Sequence, residues 1–178
     1  MSEDGATFLL VDGRQAAAQA AELLGLRAEV YGNAELGADR FRVQCRQPGF
    51  VLAEARHGSY LVGYAAGMPL RPATSWWRQL TTPLPDEVTT EHPGRTFALT
   101  ELAVRTAWRR QGIGQTLHDL ILQGRPEERG TLIIAPAATA AQAALQNWGW
   151  HKVARTRDPA GGTAIFDLLI TRLPAHNF

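Results

Sequence analysis

The chain has 178 residues with 18 Lys and Arg against 17 Asp and Glu, and 45% of its residues are hydrophobic. This length predicts one domain, 1–178, with enough apolar material for a core. The net charge of +1 argues against binding to nucleic acid or to an anionic membrane, because such binding usually shows as a basic excess. We therefore expect no nucleic-acid partner and no membrane partner.

The single cysteine, Cys45, has no partner in the chain for a disulfide, which fits a reducing compartment. The acidic start "MSEDG" does not resemble a secretory signal, and no apolar run approaches the length of a bilayer span. These features predict a cytoplasmic location. We expect no metal.

In chain order, the patterns predict strand and helix elements that alternate. A strand (7–11) precedes a helix-forming run (13–31) and a short helix (38–46). Two apolar runs around "RHGS" read as a hairpin, and a proline-rich loop (71–95) precedes the strand "TFALTELAV" (96–104). A helix (112–123), a strand (131–135), an alanine-rich helix (139–148) and two late strands (150–156, 164–171) follow. The prediction is a mixed α/β domain with helices on both faces of a sheet.

The stretch "ELAVRTAWRRQGIGQT", Glu101–Thr116, carries the main chemical signal. A strand feeds a turn with Arg109, Arg110, Gly112 and Gly114 and then a helix with an apolar stripe. The first N–H groups of a helix lack internal partners, and the helix dipole makes that end positive. Glycines let an anion approach the backbone, and arginines add charged contacts. The pattern predicts a phosphate site, although glycines that serve only helix–strand packing are the alternative.

This stretch resembles the acetyl-CoA motif of the GCN5-related N-acetyltransferases (GNAT), Arg/Gln-x-x-Gly-x-Gly/Ala, met by Arg109, Gly112 and Gly114. The resemblance extends over most of the chain and implies the GNAT fold, with about six to seven strands and about four helices around a mixed sheet. It also implies acetyl-CoA as cosubstrate. The implied cofactor-binding residues are Leu102, Ala103 and Val104 for the pantetheine, and Arg109, Arg110, Gln111, Gly112, Ile113, Gly114 and Gln115 at the pyrophosphate.

Glu101 is the predicted general base, because many family members carry an acid at the matching position before the strand backbone that should meet the thioester. A charged residue on the exposed side of a strand is the alternative. The family's usual Asn and Tyr fall on Ala138 and on Leu145, four residues before Gly149, so both polar groups are missing. The missing acid leaves room for a slow enzyme, for another acyl group, or for a protein that binds coenzyme A without turnover.

The acceptor side of this fold usually involves the first two helices and the surrounding loops. We predict contacts from Tyr31, Phe41, Trp76 and Trp77, with the two indoles forming a pocket wall. A short segment that covers the sheet edge is the alternative for "SWWRQL". The leading prediction is transfer of an acetyl group to a primary amine of a small molecule; the alternative is a non-catalytic or atypical coenzyme A-binding protein. The two tryptophans and the late strands could also support a homodimer.

Overall fold

The computed structural model describes residues 5–32, 37–159 and 161–174. It is a mixed α/β fold with seven strands and, in the described residues, six helices. The strands are β1 (Thr7–Asp12), β2 (Val51–His57), β3 (Tyr60–Pro69), β4 (Thr96–Val104), β5 (Arg129–Ile134), β6 (His151–Arg157) and β7 (Ile165–Arg172). The helices are α1 (Gly13–Ala18), α2 (Ala20–Tyr31), α3 (Ala38–Cys45), α4 (Asp86–Thr89), α5 (Ile113–Leu122) and α6 (Thr139–Asn147).

The seven strands follow the order β1-β2-β3-β4-β5-β7-β6. β1 with β2, β2 with β3, β5 with β7 and β6 with β7 are antiparallel, whereas β4 and β5 are parallel. The fold class predicted from the sequence is confirmed. The predicted helix over residues 13–31 is in fact two helices, because Gln19 leaves the helical conformation and closes the last turn of α1 onto Ala16 and Ala17.

The described residues form two compact units. The first comprises the chain up to Met68 together with Leu99–Gln123, and the second comprises Pro69–Ala98 together with the chain from Gly124 onward. Strand β4 therefore contributes its first residues to the second unit and Leu99–Val104 to the first.

The core of the first unit is built from the inward faces of β2 and β3 and from the apolar faces of α1, α2 and α3. Asp12 starts α1 with a capping box: its carboxylate accepts from the Gln15 N–H at 2.8 Å, and its own backbone N–H donates to the Gln15 side-chain oxygen at 3.0 Å. On α2, Leu23 and Leu26 are fully buried three residues apart on one face.

Phe41 belongs to that core and not to an acceptor surface. Its side chain is 1% exposed and its ring meets the edge of Phe50 at 6.3 Å between ring centroids. The prediction that Phe41 contacts an acceptor is therefore corrected. The apolar side of α3 points inward because removing an aromatic ring from water stabilises the folded unit.

Trp76 and Trp77 lie in the core of the second unit, packed with Ala98, Ala154 and Leu168. They are 7% and 8% exposed. The Trp76 indole N–H donates to the Thr131 hydroxyl at 3.1 Å, and that of Trp77 donates to the Glu91 carboxylate at 3.1 Å. Both polar groups are thus satisfied internally, as buried indoles require. The predicted pocket wall is replaced by the alternative, a segment that covers the sheet.

Glu91 explains why Trp77 is fixed in this core. The carboxylate is buried and pairs with Arg129 at 2.9 Å, and the Thr96 hydroxyl donates to the same oxygen at 2.7 Å. The Arg129 guanidinium also lies over the Trp77 ring, 5.2 Å from its centroid. A buried charge is tolerated when it is paired and hydrogen-bonded in this way.

Replacing Trp77 by Ala should lower the free energy of unfolding by about 3–5 kcal/mol, because it opens a cavity and removes one donor from Glu91. The measurement is urea unfolding of the wild type and the variant. Arg78→Ala is the matched control, since Arg78 is exposed beside it and should change stability by less than about 0.5 kcal/mol. Unchanged stability of Trp77→Ala with a raised KM for an amine would restore the pocket-wall prediction.

Candidate active site

The last part of β4 has a free edge in the first unit. The register between β4 and β5 covers only Thr96–Ala98 against Arg129–Thr131. At the far end of β4, the Arg105 N–H donates to the Val62 carbonyl of β3 at 2.9 Å. Because backbone groups alternate between the two edges of a strand, the polar groups of Leu102 and Val104 point away from β3. Ala103, predicted with them, turns its backbone groups toward β3 instead.

Two side chains already reach the carbonyls of this free edge. The Tyr31 hydroxyl donates to the Leu102 carbonyl at 2.7 Å, and the Arg109 Nε donates to the Val104 carbonyl at 3.0 Å. The N–H groups of Leu102 and Val104 face the same edge and have no strand partner there in the described residues. The edge therefore offers two backbone donors to an extended ligand.

The turn before α5, residues 109–112, is exposed. Arg110 has φ of 60° and Gly112 has φ of 80°, so two left-handed residues bracket Gln111. Gly112 is the N-cap of α5 and contributes no side-chain cap, and the first turn of the helix holds no acid. The first N–H groups of the helix thus lack an internal partner at its positive end. The arrangement suits an anion.

Close packing sets α5 against the strands that carry the free edge. A Cβ on Gly63 of β3 would lie 3.0 Å from the Ala103 carbonyl oxygen and 3.1 Å from Leu117 Cδ1 of α5. A Cβ on Gly114 would lie 3.8 Å from Val104 Cγ2, which is ordinary contact. The absence of a side chain at Gly63 therefore lets the helix approach β3, and the start of α5 comes close to Val104.

Glu101, the predicted base, is held by two residues that sequence reasoning missed. The Arg27 Nε donates to Glu101 Oε1 at 3.2 Å, and the Tyr64 hydroxyl donates to Oε2. The Glu101 side chain is 13% exposed. The alternative of a solvated surface carboxylate is therefore wrong. Each oxygen keeps a lone pair for a further donor, since a carboxylate has about four acceptor sites.

Both tyrosines near Glu101 are kept neutral by their surroundings. Burial, followed by the negative charge of Glu101, raises the pKa of Tyr64 far above its ordinary value. Partial burial of the hydroxyl, followed by the same charge, raises the pKa of Tyr31 as well. Both groups therefore act as hydrogen-bond donors at neutral pH. Nothing in the local sequence links Arg27 or Tyr64 to Glu101, because the contacts join residues far apart in the chain.

Arg105, which follows β4 directly, is held by contacts within the protein. It pairs with Glu29, donates to the Leu61 carbonyl at 2.7 Å and lies over the Tyr60 ring, 4.6 Å from its centroid. Its side chain is 13% exposed. Of the three arginines in the motif region, Arg109 and Arg110 remain exposed at the turn.

Three further features of the described residues bear on function: the cysteine, possible metal ligands and possible membrane-spanning helices. Cys45 is buried, and that burial raises the pKa of its thiol to about 11, so it is not an activated nucleophile. Among the residues that the structure describes, no group of three His, Cys, Asp or Glu side chains is placed to hold a metal ion. A membrane-spanning helix is not found in residues 5–32, 37–159 or 161–174, where none combines the required length and apolarity.

Several solved structures share this fold. The structure of Arabidopsis thaliana NAA60 in complex with a bisubstrate analogue matches 94% of this chain and 99% of its own at 11% identity and a TM-score of 0.66. The ribosomal-protein-S18-alanine N-acetyltransferase of Escherichia coli matches 97% and 96% at 13% identity and a TM-score of 0.65. A GNAT family acetyltransferase from Elizabethkingia anophelis with acetyl-CoA bound matches 96% and 100% at 16% identity and a TM-score of 0.61.

At these identities the structural matches establish the fold alone. A search of curated protein sequences gave no match. The family assignment comes from the model of the Acetyltransferase (GNAT) family, which matches residues 18–150 and so covers α2, α3, the free edge of β4, the turn and α5. The resemblance noted in the sequence is confirmed, and the chain belongs to the GNAT acetyltransferase family.

Proposed function

We propose that the protein transfers the acetyl group of acetyl-CoA to a primary amine of a small molecule. One observation carries the proposal. The first compact unit contains the uncapped start of α5, the edge of β4 with free N–H groups, and the carboxylate of Glu101, which Arg27 holds next to that edge. When bound, acetyl-CoA supplies an activated acetyl group on a thiol that leaves readily, since a thiol has a pKa of about 8.5.

The residues of the turn fit a pyrophosphate. Backbone N–H groups between Arg110 and Gln115 would bind its oxygens, and the charges of Arg109 and Arg110 would add to the attraction. The free N–H groups of Leu102 and Val104 would bind the pantetheine along the strand edge. No acidic side chain in the first turn of α5 opposes an anion there.

Glu101 would take a proton from the acceptor. A free alkyl amine has a pKa near 10.4 and is mostly charged at neutral pH, so it must lose a proton before it can attack. The carboxylate lies one residue before Leu102, and its remaining lone pairs can accept from an amine or from a water molecule. A base placed in this way contributes about 10²–10⁴-fold.

Fewer observations support the class of acceptor than support the binding of acetyl-CoA. Tyr31, 54% exposed, is the remaining candidate of the four predicted acceptor contacts. The E. coli match is named for a ribosomal protein as its substrate, so a protein N-terminus is the competing acceptor. The direct test is release of free thiol from acetyl-CoA in the presence of a panel of small amines and of short peptides with free N-termini. Release with small amines and not with peptides supports the proposal.

A non-catalytic coenzyme A-binding protein is the second candidate. One observation favours it: Leu145, at the family's usual tyrosine position, is an apolar side chain that is only 5% exposed, and Ala138 replaces the usual Asn. Acetyl-CoA that binds while no amine or peptide releases thiol would support this candidate in place of the first.

Replacing Gly112 by Asp should weaken coenzyme A binding at least tenfold, about 1.4 kcal/mol, because a carboxylate would stand where the pyrophosphate is proposed to bind. Calorimetric titration measures the affinity. Gly124→Asp is the matched control: Gly124 has φ of 68° at the other end of α5 and, like Gly112, no atom within 4 Å of an added Cβ. Both variants carry the same left-handed strain, so equal affinities would contradict the phosphate assignment.

Replacing Glu101 by Gln should lower kcat about 10²-fold or more and steepen its rise with pH, because only the rare neutral amine could then react. The measurement is kcat from about pH 6 to pH 9, a range that brackets ordinary base titration. Tyr64→Phe is the control, since it removes one hydrogen bond to Glu101 and keeps the carboxylate, and its kcat should fall less. Turnover of Glu101→Gln that matches the wild type across this range would exclude Glu101 as the base.

A further inference from the structure

We propose that the Tyr31 hydroxyl is a catalytic acid that protonates the departing sulfur of the acyl donor at the free edge of β4. The inference deepens the proposed function and rests on it. It fills the role left open at Leu145, where the usual tyrosine is missing, with a residue from a different helix of the fold.

The position of Tyr31 follows from the end of α2. The helix stops at Tyr31 because Gly32 adopts a left-handed conformation with φ of 75°. The Tyr31 hydroxyl then donates to the Leu102 carbonyl at 2.7 Å, on the edge of β4 that has no strand partner among the described residues. An extended pantetheine on this edge would have to pass the same carbonyl.

The direction of the cofactor puts its sulfur end near that hydroxyl. The proposed pyrophosphate site is the turn around Gly112, which adjoins the Val104 end of β4. A pantetheine that leaves this turn along the edge runs from Val104 toward Leu102 and Glu101. The reactive end of the donor and the predicted base then meet next to the Tyr31 hydroxyl.

The other tyrosines do not compete for the role. The chain has three. Tyr64 is 1% exposed, so a ligand on the edge cannot reach its hydroxyl. Tyr60 precedes Val62, which pairs with Arg105, and so lies beyond the Val104 end of the edge, away from Glu101. Tyr31 is half-exposed, and burial followed by the charge of Glu101 raises its pKa, so the hydroxyl carries its proton at neutral pH.

Arg27 contacts both Tyr31 and the predicted base, and the proposed step needs no proton from another source. The Arg27 guanidinium lies 5.9 Å from the centroid of the Tyr31 ring and also binds Glu101. In the proposed step, the amine nitrogen forms the C–N bond, the C–S bond breaks and its electron pair stays on sulfur. Glu101 takes the first proton of the charged amine before attack. The sulfur takes the proton of the Tyr31 hydroxyl, and the tyrosine oxygen recovers the second proton, which the nitrogen gives up after the C–N bond has formed. An amine and a thioester thus become an amide and a thiol.

The kinetic test compares Tyr31→Phe with Tyr60→Phe, which removes a hydroxyl from another half-exposed tyrosine of the same unit. We expect kcat of Tyr31→Phe to fall about 10²-fold, the lower end of the range for a lost acid, with little change in the KM of the amine. Tyr60→Phe should keep the wild-type kcat. A change confined to the KM of the amine would make Tyr31 an acceptor contact and overturn the proposal.

A binding test provides a readout that does not depend on turnover. At about pH 9.5, above the ordinary thiol pKa, free coenzyme A is mostly a thiolate that a Tyr31 hydroxyl could donate to. The wild type should bind coenzyme A about tenfold more tightly than desulfo-coenzyme A, the analogue without sulfur, and Tyr31→Phe should lose this preference. An unchanged preference in Tyr31→Phe would overturn the proposal.

The outcomes separate this inference from the proposed function. Wild-type turnover with an equally active Tyr31→Phe would reject the role of Tyr31 and leave acetyl transfer intact. If the wild type binds coenzyme A but no amine or peptide releases thiol, acetyl transfer fails and the proposed role of Tyr31 fails with it.

Discussion

The candidate site depends on the point at which β4 stops pairing with β5. Backbone N–H and C=O groups need partners, and an unpaired strand edge leaves a row of them open. The pairing ends at Ala98, so the edge of Leu102 and Val104 has no neighbouring strand in the described residues. Side chains of Tyr31 and Arg109 satisfy the two carbonyls. The N–H groups of Leu102 and Val104 remain open as donors. A ligand with carbonyl groups can accept hydrogen bonds from them.

Packing places a second set of donors at the end of the same strand. The absence of a side chain at Gly63 lets α5 approach β3, and the buried face of α5 with Leu117 and Ile121 holds the helix there. The uncapped start of α5 therefore lies beside Val104. One compact unit thus combines backbone donors suited to a phosphate with backbone donors suited to an extended chain. Neither set depends on side-chain identity beyond the glycines that shape the turn.

The carboxylate of Glu101 is likewise positioned by residues that are distant from it in the chain. Arg27 on α2 and Tyr64 on β3 each bind one of its oxygens, so its orientation is set by elements distant in the chain. Tyr31, from the last turn of α2, reaches the adjacent residue of β4. Helix α2 therefore contributes both a charge that holds Glu101 and a hydroxyl next to it.

The sequence was most informative where the signal is local. The bounds of β4 were predicted correctly, and the stripe of Ile113, Leu117 and Ile121 with the glycine turn located α5. The break at Gln19 was missed because alanine-rich flanks on both sides favour helix, and a single residue outside the helical conformation leaves no compositional mark.

Contacts between distant residues could not be predicted from one sequence. The sequence of the loop with Trp76 and Trp77 allows both the predicted pocket wall and the alternative, a cover, and burial against Ala98 and Leu168 decides for the cover. The partners of Arg105 and of Glu101 were likewise invisible, because ion pairs between separate elements follow no local spacing. The point at which β4 and β5 stop pairing depends on both strands, so the sequence of either strand alone does not predict it.

Hydrogen exchange of the backbone amides in the presence and absence of coenzyme A tests the central claim most directly. If the strand edge and the helix start bind the cofactor, the amides of Leu102 and Val104 and those from Arg110 to Gln115 should exchange more slowly in the complex. The amide of Ala103, which faces β3, should change little by comparison. Binding of coenzyme A that leaves the exchange of these amides unchanged would contradict the account.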